Sequence, residues 1–374
     1  MSAETRRDFL KQALAISAAA ATSPSLQAAE RPAIPYVDGL SFFSPDPADV
    51  GRSGLAAFIC DVSSGQALKT EDGCIKFFRS FEACAKSITT VRLRLQSGSV
   101  PNTFLATRGS EIRPAFEAGR TAVFFQFQGC EPVGEELWRL ELFHELGLRI
   151  QQITHHNDNP WGGGAIEKNW TGLTKIGIEG VERLNALGII PDLSHASGPT
   201  GLDVLKASRK PVIISHGGAR AIVPSARCAP DEVIRGVGES GGVTGIFMMS
   251  MWLTTDPEPT VDAYIKQIRH VIDVAGIDAV GIANDYTIAG EMSAFKAGND
   301  NAKIISNYYP WWDSVGKDGV MGFSERPQHA VIPELNNIRR MFLIDQALER
   351  ARFKTAEIEK IMGANWIRVL ETLG

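Results

Sequence analysis

No two of the five cysteines (Cys60, Cys74, Cys84, Cys130, Cys228) stand in a Cys-x-x-Cys pair, which argues against a structural zinc cluster of the finger or ribbon type. Isolated buried thiols are the expectation, although Cys60 and Cys130 could meet if their segments are neighbouring strands, since an oxidising compartment permits a bridge. No basic patch of the kind that nucleic acid requires is present, and the formal net charge is −5. Beyond the N-terminal segment, no apolar stretch reaches the roughly 20 residues needed to span a bilayer. No Gly-x-Gly-x-x-Gly follows the first candidate strand, which counts against a dinucleotide-binding open sheet. Internal repeats are also lacking.

What is present begins at the N-terminus. Thr5-Arg6-Arg7-Asp8-Phe9-Leu10-Lys11 precedes a small apolar run, Ala13 to Ala21, and Ala28/Ala29 offer a cleavage point. A twin arginine with a weakly hydrophobic core reads as a twin-arginine export signal over residues 1–29, leaving 30–374 as one mature domain in a periplasm.

Downstream, short apolar runs alternate with stretches of helical period. Candidate strands are Ile34–Leu40, Ala56–Val62, Thr121–Gln128, Leu148–Thr154, Ile189–Leu193, Val212–Ser215, Gly242–Met249 and Ala279–Ile282. Helix-like stretches include Gly134–Leu146, Leu173–Leu187, Pro199–Ala207 and Val261–Ala275, and Gly188 is placed for a left-handed C-cap. Eight strands with intervening helices in one chain predict a (β/α)₈ TIM barrel. The tail from Pro333 reads as two helices, around Leu335–Arg350 and Thr355–Leu373, with Thr355 at a capped start. Gly290–Gln328 reads as a long loop of the lid or binding type.

A parallel barrel displays the last residues of its strands at one rim, where active sites are built. His195 closes the fifth run and His216 the sixth; Gln128 and Glu131 follow the third; His155 and His156 follow the fourth. Arg227 lies after the sixth run and Asp285 after the eighth. His195, His216 and Asp285 could form a two-histidine, one-carboxylate set for one zinc or iron with positions open to water, or Glu131 could swing in as the third donor. A guanidinium at a barrel rim, here Arg227, suits bidentate carboxylate recognition. His156 is expected to be a solvent-facing loop residue, Asp158 and Asn159 to shape that loop, and His144, His270 and His329 to have no part in the site. Trp161, Trp170, Trp311 and Trp312 fit either a pocket wall for an aromatic or cyclic substrate or core packing.

Several motifs carry a resemblance: Leu146-Gly147-Leu148-Arg149, Ile153-Thr154-His155, Gly172-Leu173-Thr174, Asp192-Leu193-Ser194-His195, Ser215-His216 and the closing Gly363-Ala364-Asn365-Trp366-Ile367-Arg368-Val369-Leu370. In this order and spacing the chain resembles the membrane (renal) dipeptidase family from about Tyr36 to the C-terminus. The resemblance implies a metal-dependent amidohydrolase-like barrel that hydrolyses dipeptides with two zinc ions bridged by a glutamate. It further implies that His195 and His216 are ligands of the second zinc and that His155 contacts substrate and stabilises the tetrahedral intermediate. Arg227 would then lie near the substrate carboxylate, and Asp285 would face the reacting centre.

The chain departs from that pattern at the first zinc. The family's Asp-Gly-His-x-Asp becomes Asp38-Gly39-Leu40-Ser41-Phe42, and its bridging Glu-Gly becomes Gln128-Gly129. Leucine and phenylalanine have no lone pair, and a neutral amide is at best a weak ligand that cannot bridge two dications. The family's Asp-Phe-Asp-Gly likewise becomes Asp285-Tyr286-Thr287-Ile288. The expectation is a dipeptidase-like hydrolase of dipeptides or related small amides, with one zinc ion at most and the first site empty. The alternative is a catalytically silent homologue that binds, or assists maturation of, a periplasmic peptide product. A homodimer is compatible with either reading.

Overall fold

The computed structural model describes residues 32–69 and 75–373, apart from the side chains of 67–69 and 75–77. The expected export signal over 1–29 and Cys74 lie outside the described residues. Eight strands run in the order of the chain: β1 Tyr36–Ser41, β2 Leu55–Asp61, β3 Thr121–Gln128, β4 Leu148–Gln152, β5 Ile190–Asp192, β6 Ile214–Gly217, β7 Thr244–Ile246 and β8 Val280–Ile282. Every pairing among them is parallel, each strand lies beside its chain neighbour, and β8 returns to β1. The seam between β5 and β6 is a single bridge of Asp192 with Ile213, carried by Leu193 N–H to Ile213 O (2.8 Å) and Ile213 N–H to Pro191 O (3.0 Å). The architecture is the expected (β/α)₈ barrel.

Alternation along the strands builds two cores. Val123, Phe125 and Phe127 of β3 pack outward with the helices, whereas Ala122 and Phe124 belong to a separate inner cluster with Ala57, Ile59, Ile150, Ile190, Ile213 and Val243. Continuing two residues at a time, the inner files become polar toward the C-terminal rim: Gln126 after Phe124, Asp192 after Ile190, Ser215 after Ile213. Trp366, from the helix Asn365–Leu370, completes the inner cluster at the opposite end. It lies so close to Gly39 and Gly281 that a β-carbon there would sit 2.4 Å from the indole, so these positions require glycine.

The outer helices include α1 Phe81–Gln96, α2 Arg139–Glu145, α3 Lys175–Leu187, α4 Gly198–Ala207, α5 Asp231–Glu239 and α6 Val261–Ala275. The Thr174 side chain accepts from Gly177 N–H to start α3, and Gly188 ends it at φ 71°. The expected loop Gly290–Gln328 is instead largely helical, with Met292–Lys296, Asn301–Ile304 and α7 Tyr309–Lys317. In the tail, α8 is Arg340–Arg350, and the helix beginning at Thr355 is capped through Glu357, whose carboxylate accepts from Lys354 N–H at 2.7 Å. Cys60, Cys84, Cys130 and Cys228 are buried free thiols, so Cys60 and Cys130 form no bridge. Among the described residues, no helix is long and apolar enough to cross a membrane.

Candidate active site

The polar inner layer supports the histidines above it. Asp192, fully buried, accepts from the backbone and hydroxyl of Ser194 (3.0 and 2.8 Å) and of Ser215 (2.8 and 2.6 Å), and also from Gln126 Nε2. Ser215 Oγ spends its proton on Asp192, so the 2.8 Å contact between Ser215 Oγ and His216 Nδ1 has the imidazole as donor. That assigns the Nδ1–H tautomer to His216 and leaves its Nε2 lone pair facing His195. Such outer support fixes the orientation of a metal-binding imidazole.

His195 Nε2 lies 2.9 Å from His216 Nε2, and Asp285 Oδ1 lies 3.9 Å from the same His216 nitrogen. His195 and Asp285 both occupy the left-handed region, at φ 64° and 63°, a conformation that costs a non-glycine residue energy and marks functional turns. The Asp285 turn is held by β1: its N–H and that of Asn284 both donate to Leu40 O, at 2.9 and 3.1 Å. On the other side of His195, its Nδ1 lies 3.1 Å from His156 Nδ1, and the His155 ring stacks on the His195 ring at 4.4 Å.

His155, His156, His195 and Asp285 open on a cavity of about 270 Å³ lined also by Gln128, Arg227, Met249, Trp252, Asn307, Tyr308 and Trp311, with His216 buried behind His195. Burial, aided by Arg227, holds His195 and His216 well below the ordinary imidazole pKa, and burial does the same for His155 and His156. All four are therefore neutral at neutral pH, the form that binds metal. Burial pushes the Asp285 carboxyl up to about 7, against the opposing pull of Arg227. Arg227 is itself buried, lies over the rings of Phe247 (4.9 Å) and Trp252 (5.7 Å), and donates to His216 O at 3.4 Å.

The structure thus brings together His155, His195, His216, Arg227, Asp285 and Gln128. It corrects the expectation for His156, which turns inward onto His195 instead of facing solvent. Glu131 does not swing in; its carboxylate folds back against Gly129 and is absent from the cavity lining. Of the four tryptophans, only Trp311 lines this cavity. Trp161 is a fully buried core residue bonded to Gly134 O (2.7 Å), and Trp170 bonds Ala165 O (2.9 Å). Sequence reasoning missed Trp252, Met249, Asn307 and Tyr308; the apolar run ending at Met249 was a signal for the first two, while the last two sit in a segment expected to be loop.

The donor set fits a divalent ion on one side of the rim. Two Nε2 atoms converge with a carboxylate nearby, and His155, His156 and His195 bring nitrogen atoms within 4.8 Å of one another. On the other side it does not fit. Leu40 and Phe42 have no lone pair to offer, and Gln128 offers only an amide.

A family model described as membrane dipeptidase (peptidase family M19) matches residues 75–306. The chain belongs to this family. A dipeptidase, tcpJ, of Claviceps purpurea is 28% identical over 270 residues, covering 71% of this chain and 54% of its own. The chain therefore spans about half the length of that curated relative. Among solved structures, an amidohydrolase from Pseudomonas aeruginosa is similar at 25% identity and TM-score 0.70, over 91% of this chain and 97% of its own. A metallopeptidase from Rhodobacter sphaeroides, liganded with a phosphinate mimic of L-Ala-D-Ala, shares the fold at 18% identity and TM-score 0.72, over 91% and 99%. The family match and these structural neighbours agree with the barrel described above.

Proposed function

We propose that this M19 member is a dipeptidase-like metallohydrolase with a reduced, single-ion site, acting on a dipeptide or a related small amide after twin-arginine export to a periplasm. The observation that carries the reading is the convergence of His195 Nε2 and His216 Nε2, 2.9 Å apart, beside Asp285 and beneath a cavity that also holds Arg227.

His195 and His216 would hold the ion, zinc by family expectation, which supplies Lewis acidity toward the scissile carbonyl when bound. Arg227 binds the substrate carboxylate in a bidentate pair, strengthened by burial. Asp285, with its pKa near 7, takes the proton of the attacking water and passes it to the leaving amine. Neutral His155 donates an N–H to the developing oxyanion. Gln128, a neutral amide at the seat of the family's bridging carboxylate, can hydrogen-bond the substrate and leaves one cation's worth of charge stabilisation missing. Turnover of ordinary dipeptides should be low for that reason.

The missing donors at Leu40, Phe42 and Gln128 favour a second reading, a silent homologue that binds a peptide without cutting it. Elemental analysis of natively exported protein and a dipeptide screen that includes D-residues separate the two. About one zinc or iron per chain, lost in His195→Ala, with metal-dependent hydrolysis supports the enzyme. Absence of metal and of turnover, with peptide binding retained, supports the silent homologue.

A further inference from the structure

The outer wall of the histidine cavity is aromatic, and part of it lies beyond the family-matched stretch. That match ends at residue 306, whereas Asn307, Tyr308 and Trp311 all line the cavity. Two adjacent tryptophans of α7 divide the work. Trp312 is an anchor: it is 3% exposed, its indole donates to Glu325 O at 2.7 Å, and its ring stacks on Trp252 at 5.9 Å. Trp252 in turn stacks on Phe247 at 5.9 Å. Trp311 is only partly buried, and three rings meet it nearly at right angles: Trp252 (6.3 Å), Trp312 (6.3 Å) and Phe323 (5.6 Å). A fourth ring, His156, lies 4.9 Å away at a tilt of 36°.

We propose that Trp311, with Tyr308 and Met249, forms a preformed slot for an aromatic side chain, so that the substrates are dipeptide-like acids carrying a phenylalanine-type residue. The inference rests on the hydrolase reading above for the words dipeptide and carboxylate, but the slot itself does not need the ion. An offset or edge-on ring against Trp311 gains over an alkyl group of equal area. Because neighbouring rings already fix the indole, little side-chain entropy is lost on binding. Arg227 lies over Trp252, the next ring in the wall, so a carboxylate held there places the side chain of the same small molecule within reach of Trp311.

Calorimetry on the zinc-loaded exported protein tests this with phosphinate mimics of Ala-Ala, Phe-Ala and Ala-Phe. One phenylalanyl mimic should bind at least about tenfold more tightly than the alanyl mimic. Trp311→Ala should shrink the preference below about threefold while alanyl affinity changes little, and Trp311→Phe should restore most of it. Equal affinity of all three mimics, or uniform weakening by Trp311→Ala, overturns the slot. If no mimic binds, the hydrolase reading falls, and the slot is read in metal-free protein with free phenylalanine and alanine by ligand-observed NMR. A preference for phenylalanine that vanishes in Trp311→Ala supports the slot, and equal signals overturn it.

Discussion

The two halves of the barrel rim make a natural comparison. At β4 to β6, four imidazoles gather over a buried network of Asp192, Ser194, Ser215 and Gln126 that sets the orientation and tautomer of His216. At β1 to β3, Leu40 is fully buried, Phe42 pairs its backbone with Tyr286 and Thr287, and Gln128 is the one cavity-lining residue. The carboxylate that remains on β1, Asp38, is turned to Ser41 Oγ (2.7 Å) and Leu40 N–H (3.1 Å), and burial pushes it up to about 6. Imidazole donors and the layer that orients one of them are thus kept together on one half of the rim, and the other half has neither.

The comparison can be broken most sharply on the histidine side. His195→Ala or His216→Ala should lower bound metal from about one ion to near zero and cut any hydrolysis by about 10²–10³-fold, read by elemental analysis and single-turnover rates. An unchanged metal content would move the site elsewhere. Arg227→Met should come next, raising KM for a free-carboxylate substrate by roughly 10–100-fold, while an amidated substrate is nearly unaffected. On the other half, Leu40→His with Phe42→Asp and Gln128→Glu should raise metal content toward two ions. Buried Leu40 makes this cost about 1–3 kcal/mol in stability, and unchanged metal content would count against the correspondence with the family's first seat.

A last effect is one of pH on metal-free protein. The four rim histidines have folded pKa values well below 6.5, so only the unfolded chain takes up their protons as pH falls past that value. Their contribution is complete above pH 6.5 and is lost below it, at up to about 1.4 kcal/mol per pH unit for each histidine. Denaturant unfolding between pH 7.5 and 5 measures the slope. His156→Asn should make it shallower, and an identical slope would mean that His156 is protonated in the fold.

Strands and helices with long, regular burial were legible in the residues. Thr121–Gln128 and Val261–Ala275 fall where the sequence places them, because the strand is an apolar run buried on both faces and the helix buries one unbroken face. The sixth strand was expected at Val212–Ser215 and lies at Ile214–Gly217, since Ile213 is used in the single bridge that joins β5. Helix α7 and its two short predecessors escaped notice because runs of four to nine residues, one with Pro310 in its first turn, carry too few periods to read. His156 was misjudged for a different reason: its ring direction is set by the bend after β4, not by its neighbours in the chain.

By itself the sequence determined the number and order of the strands, which polar residues follow them, and, through the resemblance, which of the family's donors are missing at positions 40, 42 and 128. These are local facts, carried by side-chain type and by the two-residue alternation of a strand. Only the tertiary structure decided that His195 touches both His216 and His156, that Asp285 titrates near 7, and that Trp311 rather than Trp161 or Trp170 faces the site. Ring direction, distance and desolvation arise from segments far apart in the chain that are packed together, and no single stretch contains them.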